Sequence, residues 1–171
     1  MPIPSSLGAS ELISGVPGEI AFDGPQRAIA ALINSASEAN NVFGRAFTYN
    51  DESVESVQAG GAGFFAGIMI VPKAYALDGE TAANFTQGEF LCQGEVYVGL
   101  STDSTDYTIG APVWFLTATG EVGCGTVPAG GTAIPGGYVS RHNVSPAEDG
   151  TPRLAVVYLP GLANLPVADA V

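Results

Sequence analysis

The chain has 171 residues with 17 acidic and five basic side chains, which give a formal charge of −12. A nucleic-acid-binding protein needs clustered Lys and Arg to replace phosphate counterions, so this composition argues against direct DNA or RNA binding. The length suits one domain with a sizeable core. Since 46% of the residues are hydrophobic and the mean hydropathy is +0.27, we expect much apolar surface to be hidden in the core or between subunits.

Frequent turns are the second compositional feature. The 23 glycines and 12 prolines fit many short strands better than helices. Cys92 and Cys124 are interpreted as small buried apolar side chains, since two cysteines do not make a disulfide scaffold. The N-terminus lacks the pattern of a secretion signal, and no segment approaches the roughly 20 apolar residues of a membrane span. We therefore expect synthesis in the cytoplasm and no membrane partner.

The first half of the chain predicts an arm followed by strands. Residues 1–17 carry three prolines, which favour an extended arm. Short apolar runs between turns predict strands at residues 18–22, 42–49 and 53–59. The segment RAIAALI (27–33) has two interpretations: its Ala and Leu content favours a helix, whereas its length and neighbours favour a buried strand. FFAGIMIV (64–71) is the most hydrophobic stretch and predicts a central strand.

Residues 87–126 predict a four-stranded antiparallel meander. Apolar residues recur at every second position, with strands at roughly 88–93, 95–100, 111–117 and 121–126. Tight turns are predicted at Gln93-Gly94 and Thr119-Gly120. Trp114, the only tryptophan, is interpreted as a core or interface anchor rather than a ligand platform.

The last quarter predicts a Pro/Gly-rich crossing loop at 127–137, strands at 137–143 and 153–159, and an apolar tail. Together, about ten to twelve short strands indicate an all-β sandwich or barrel. We expect an extended N-terminal arm (1–17), a single β-sandwich domain (18–159) and a C-terminal tail (160–171).

The two ends carry apolar side chains that have no place in the strand pattern. We predict that they contact neighbouring subunits, because extended termini can be laid along a neighbour's sheet edge. The candidate residues are Ile3, Leu7, Leu12, Ile13, Leu162, Leu165 and Val167.

No constellation for catalysis or metal binding emerges. His142 is the only histidine, and no serine lies in a nucleophile-elbow pattern. The cysteines and His142 lack zinc-like spacing. Asp103 with Asp106, or Asp78 with Glu80, could offer oxygens to calcium, but the spacing of a calcium loop is absent. We therefore predict no catalytic, cofactor-binding or metal-binding residues, and no enzymatic activity.

The order of several segments resembles the capsid cement, or decoration, proteins of tailed bacteriophages. The segments are GEIAFDGP (18–25), VFGRAFTY (42–49), GFFAGIMIV (63–71), GEFLCQGEVYVGL (88–100), IGAPVWFLTATGEV (109–122) and RLAVVYLPG (153–161). The resemblance implies a β-sandwich of jelly-roll character on the outer capsid surface of the virion, where it clamps neighbouring major capsid subunits. It carries no catalytic residues. The implied partners are the major capsid protein and further copies of the chain, in a dimer or trimer.

Two alternatives come from other functional classes. A carbohydrate-binding β-sandwich module predicts a concave aromatic face, with or without calcium, and a small cupin-like enzyme predicts a metal cluster. Binding to intact phage heads, but not to free sugar polymer, would distinguish a cement protein from the carbohydrate-binding module.

Overall fold

The computed structural model describes residues 15–22, 24–50, 53–72, 81–141 and 153–161. Within these ranges the chain forms nine β-strands and one short 3-10 helix, Glu38–Asn40. The strands are β1 (Arg27–Ile33), β2 (Ala46–Asn50), β3 (Ser53–Ala59), β4 (Phe65–Met69), β5 (Gln87–Leu100), β6 (Pro112–Leu116), β7 (Val122–Cys124), β8 (Gly131–Arg141) and β9 (Arg153–Pro160). The all-β class predicted from sequence is confirmed, and the segment 27–33 is a strand.

The strands form two closed rings that share β5. The sheet has the order β1-β3-β2-β4-β5-β7-β6-β8-β9, and β5 also pairs with both β1 and β9. The β1–β5 pairing closes the N-terminal ring (β1-β3-β2-β4-β5), and the β5–β9 pairing closes the C-terminal ring (β5-β7-β6-β8-β9). The arrangement is barrel-like, and the jelly-roll character implied by the resemblance is not confirmed.

Each ring has its own hydrophobic core, and β2, β4 and β5 form the wall between them. Neighbouring residues of the wall alternate between the cores: Phe47, Met69 and Phe90 belong to the N-terminal core. Their neighbours Ala46, Ile68 and Leu91 belong to the C-terminal core. A strand covered on both faces is apolar at every position, which explains why residues 65–70 are so hydrophobic. The predicted central strand is thus confirmed, although Phe64 precedes it and is exposed.

The predicted meander is wrong in two respects. Gly94 does not end a strand, because β5 continues through it for 14 residues. Gly94 has a φ of 124°, in the left-handed region that glycine adopts readily. Residues of β5 before this position pair with β1, and residues after it pair with β9. In addition, the strand next to β5 is β7 and not β6. β7 pairs with β5 in parallel, through Leu100 and Val122, and β6 lies between β7 and β8.

Two further sequence predictions need correction. The loop predicted at 127–137 is largely the first half of β8, whose register with β6 shifts between Pro112 and Trp114 and so accommodates its Pro-Gly-Gly run. The strand predicted at 18–22 is a single bridge in which Ile20 faces Val96. Val96 also pairs with Val157 of β9, so the residues around Ile20 lie along the edge of β5 that is opposite to β9. Trp114 is fully buried, as predicted.

Two glycine turns and one arginine join the rings. Gly60 and Gly120 lie so close that a Cβ on Gly120 would be 2.8 Å from the Gly60 nitrogen and 2.5 Å from the Ala46 carbonyl oxygen. Arg45 donates hydrogen bonds to the Thr119 carbonyl oxygen and to Glu121 Oε1, each 3.2 Å long. The predicted Thr119-Gly120 turn is therefore present and packs against the start of β2.

Candidate functional site

The residues predicted to make intersubunit contacts lie outside the described ranges. They are Ile3, Leu7, Leu12, Ile13, Leu162, Leu165 and Val167. His142, Asp78 and Glu80 also lie outside these ranges. The roles assigned to these residues stay predictions.

The Asp103–Asp106 loop is described and has the geometry of a polar turn. Asp106 Oδ1 accepts hydrogen bonds from the Thr108 N–H and hydroxyl, at 3.0 Å and 2.8 Å. These bonds hold the pKa of Asp106 below its ordinary value, because they stabilise the ionised carboxylate. Among the described residues there is no group of three or more His, Cys, Asp and Glu side chains that could hold a metal ion.

A cleft of about 390 Å³ opens beside the N-terminal ring. Among its described lining residues, Glu89 is the only one with an ionisable side chain, so this part of the cleft offers no acid–base pair. The lining residues are Phe43, Met69, Ile70, Pro72, Thr81, Ala82, Gln87, Gly88 and Glu89.

Aromatic side chains and an ion pair cluster on the outside of the C-terminal ring. Tyr138 and Tyr158 are register partners on β8 and β9, and their ring centroids are 5.0 Å apart. Tyr158 also faces Glu95 on β5. The Arg141 guanidinium lies 4.4 Å from the centroid of the Phe22 ring. We call this group (Phe22, Glu95, Tyr138, Arg141 and Tyr158) the outer aromatic surface.

The outer aromatic surface combines apolar area with one positive side chain, Arg141, and one negative side chain, Glu95. Arg141 Nε is 3.8 Å from Glu95 Oε2, beyond hydrogen-bonding distance. Because the Arg141 side chain is half exposed, this pair contributes only about 0–1 kcal/mol. Phe22 and Tyr138 are both counted among the exposed large apolar side chains. The surface can therefore bury aromatic area and still donate hydrogen bonds through Arg141 and the tyrosine hydroxyls.

Sequence reasoning missed the outer aromatic surface. The available signal was the alternation in β9, where Val157 and Leu159 enter the core and Tyr158 between them points outward. The partnership of Tyr138 with Tyr158 depends on the register of β8 and β9, which the sequence pattern does not specify.

Both cysteines are buried, as predicted. Cys92 Sγ donates a 3.2 Å hydrogen bond to the Arg27 carbonyl oxygen. Burial raises the pKa of the Cys92 thiol, against a smaller opposing effect of the Arg27 charge. Cys92 is thus held as a neutral thiol and does not have the environment of a reactive nucleophile.

Other large apolar side chains are also exposed. The most exposed are Phe85 at 72%, Ile109 at 70% and Phe64 at 63%. Single exposed apolar residues are normal on protein surfaces. The outer aromatic surface differs because its members touch one another.

No helix in the described part of the chain is long and apolar enough to cross a membrane.

Residues 3–159 match the model of the family described as structural cement protein (E217 gp24/Pam3 gp6), a phage cement family. The chain belongs to this family. The chain is therefore a structural protein of the phage capsid. Such a protein lies in the virion and associates with capsid proteins. The family is a structural one and not a class of enzymes.

The fold of this cement protein is similar to that of a chain in a solved structure, "The capsid of Myoviridae Phage XM1", with a TM-score of 0.65. The two chains are 14% identical, and the likeness covers 86% of this chain and 92% of the other. At this identity the similarity shows a shared fold. No curated protein matches the chain.

Proposed function

We propose that this cement protein binds the outer surface of a phage head and clamps neighbouring major capsid subunits. The observation that carries the proposal is the family match, which extends over residues 3–159 and so includes both rings. A protein that bridges two subunits adds contacts that must break before the lattice opens. The head is thereby stabilised without any chemical step.

The chemistry of the surface favours apolar and main-chain contacts over salt bridges. With only five basic residues, the chain cannot clamp an acidic surface through many ion pairs. Burial of apolar area contributes roughly 25 cal/mol per Å², before the entropy cost of association is subtracted. Because many copies bind one head, a modest free energy for each contact gives a large collective stabilisation.

Within the described residues, the outer aromatic surface is the best candidate for a capsid contact. Tyrosine and arginine are enriched at the energetic centres of interfaces. Tyr138 and Tyr158 are held by the paired strands β8 and β9, so little side-chain entropy is lost when a partner covers them. The pair of Glu95 and Arg141 offers polar recognition at the edge of this contact.

The two termini supply further contacts in this proposal. The apolar residues of the arm (1–17) and of the tail (160–171) contact neighbouring subunits, and the protein self-associates as a dimer or trimer. Support comes from their sequences, which combine prolines with isolated apolar residues.

Co-sedimentation with heads that lack the cement protein tests the proposed contact. We expect the double variant Tyr138→Ser/Tyr158→Ser to lose binding by roughly tenfold or more, as for central interface residues. Phe64→Ser is the matched control, since Phe64 is exposed but lies before β4, outside the outer aromatic surface. Unchanged binding of a folded double variant would exclude this surface.

A parallel sedimentation with free sugar polymer tests the carbohydrate-binding alternative. Binding of the wild-type chain to the polymer and not to heads would favour that alternative. We expect binding to heads only, and only a slight effect of added salt on it, because exposed ion pairs contribute little.

A further inference from the structure

The turn that leads into β5 holds Phe85 in an unusual backbone conformation. Phe85 has a φ of 62°, and it is the only non-glycine residue with a positive φ in the described part of the chain. In this left-handed region the Cβ atom lies too close to a main-chain carbonyl oxygen, so the conformation is strained for a bulky side chain. Such a residue persists only where the surrounding structure fixes it.

Hydrogen bonds to buried groups fix this turn. The Phe85 N–H donates to the Ile33 carbonyl oxygen at 2.7 Å. The neighbouring Asn84 accepts through Oδ1 from the Ser35 N–H and from Asn41 Nδ2, each at 3.0 Å. Asn84 Nδ2 in turn donates to the Ser35 carbonyl oxygen at 2.9 Å. Because Ser35 and Asn41 are buried, the turn is attached to the interior of the protein.

The same place carries a second feature that lowers stability. Asn41 is fully buried, and its Oδ1 has no hydrogen-bond partner among the described residues. Burial of the Phe85 ring does not offset these two effects, because 72% of Phe85 is exposed. Local strain and unpaired buried groups of this kind are expected at functional sites.

Exposure alone does not single out Phe85. Ile109 is 70% exposed, and its φ is not positive. Phe85 differs because a strained and firmly bonded turn holds its ring in solvent. An aromatic ring on a fixed backbone loses little conformational entropy when a partner covers it, and aromatic residues are enriched in interfaces. Phe85 therefore has the properties of an interface anchor.

The position of Phe85 suits a second contact of a clamp. Its main chain bonds to β1, in the N-terminal ring, whereas the outer aromatic surface lies on the C-terminal ring. A protein that clamps two subunits needs a contact for each of them. One contact on each ring supplies this pair.

The surroundings of Phe85 indicate the charge of its partner. Glu38 Oε2 accepts a 2.9 Å hydrogen bond from the Asn84 N–H, and Glu89 follows in β5. The described segments 32–41 and 81–90 contain no Lys, Arg or His. A second copy that docked the same surface here would bring like charges together, whereas a surface with Lys or Arg is complementary.

We propose that Phe85 is an anchor that enters an apolar pocket with a basic rim on one major capsid subunit, while the outer aromatic surface contacts the neighbouring one. This inference rests on the proposed cement function. The pocket buries the ring, and Lys or Arg at its rim faces Glu38 and Glu89. Because the turn is fixed before binding, the contact needs no rearrangement of this chain.

The variant Phe85→Asn tests the anchor, because Asn accepts a left-handed φ and removes the ring. Relief of strain should raise the Tm of the free protein by about 2–4 °C. Binding to heads that lack the cement protein should weaken by about tenfold or more. Phe85→Gly, which also accepts this φ, should weaken binding to the same extent. Ile109→Asn removes a similarly exposed apolar side chain and should leave binding unchanged.

The results for the wild-type chain and for Phe85→Asn separate this inference from the cement function. No binding of the wild-type chain to heads would overturn the proposed function and the anchor with it. Equal binding of the wild-type chain and Phe85→Asn would overturn the anchor alone. A Tm below that of the wild-type chain would show that the ring supports the fold, against the proposal. Altered sedimentation of free Phe85→Asn, with unchanged binding to heads, would assign the ring to self-association and overturn the capsid contact.

Discussion

Phe90 and Leu91 are neighbours in β5, yet their side chains belong to different hydrophobic cores. Phe90 packs in the N-terminal ring, where its ring centroid is 4.9 Å from that of Phe47. Leu91 packs in the C-terminal ring with Val96 and Val157. Since one strand carries both cores, neither ring can lose β5 without disrupting the other.

This relationship predicts that the two rings unfold together. Phe90→Ala should lower the free energy of unfolding by about 3–5 kcal/mol, through lost burial and the cavity left behind. The loss should appear in the fluorescence of Trp114, a buried residue of the C-terminal ring, during urea unfolding. Leu91→Ala, at about 2–5 kcal/mol, is the comparison within the C-terminal core. A Trp114 transition unaffected by Phe90→Ala would show that the rings are independent.

The contact between Gly60 and Gly120 predicts a large difference between two glycine variants. Gly120 and Gly130 have nearly the same left-handed φ, 76° and 77°. A Cβ on Gly130 meets no atom within 4 Å, whereas a Cβ on Gly120 meets the Ala46 carbonyl oxygen at 2.5 Å. Gly130→Ala should therefore cost only the conformational term of about 1–2 kcal/mol. Gly120→Ala should cost distinctly more in urea unfolding, and equal losses would contradict the close approach.

The strand content was predictable because its signal is local. The patterns of β3 and β9 and the continuous apolar run of β4 each follow from which faces are buried, and buried faces leave a pattern in the sequence, whereas the segment that forms β1 was left open between helix and strand. The same reasoning failed at Gly94, because a glycine within a strand and a glycine in a turn give the same sequence pattern between two alternating runs. The closure of the rings through β5 depends on partners far apart in the chain, which local patterns do not specify.

The candidate site was less predictable than the fold. Tyr138 and Tyr158 are separated by 19 residues, and they meet only because β8 and β9 pair in one register. Phe22 and Arg141 meet through the bridge of Ile20 with Val96, which the sequence presented as an ordinary strand. The apolar termini were singled out because they lack any period, and their contacts remain a prediction.

The buried position of Cys92 predicts low thiol reactivity. Burial raises the pKa of this thiol, so it stays neutral to a higher pH than the ordinary value of about 8.5. Because the thiolate is the nucleophile, a thiol-specific reagent at pH 8 should react slowly with the native protein and rapidly with both cysteines in urea. Rapid labelling of Cys92 in the folded chain would contradict its burial.

Arg45 is expected to stabilise the junction between the rings. Arg45→Ala removes hydrogen bonds to Asn40, Thr119 and Glu121, and should lower the free energy of unfolding by about 1.5–3 kcal/mol. Glu121→Gln retains an acceptor and loses only the partly exposed ion pair, so its cost should be about 0–1 kcal/mol. Thermal unfolding of both variants measures the difference. A larger loss for Glu121→Gln would show that charge, rather than the bonds to the turn, holds this junction.

The rupture threshold of phage heads tests the cementing role most directly. Heads assembled without this protein, and the same heads after it is added back, are heated stepwise while release of their DNA is followed. We predict that bare heads rupture at a lower temperature than decorated heads, because each bound copy adds contacts between neighbouring capsid subunits. Equal rupture temperatures for bare and fully decorated heads would contradict the proposal that this protein clamps the lattice.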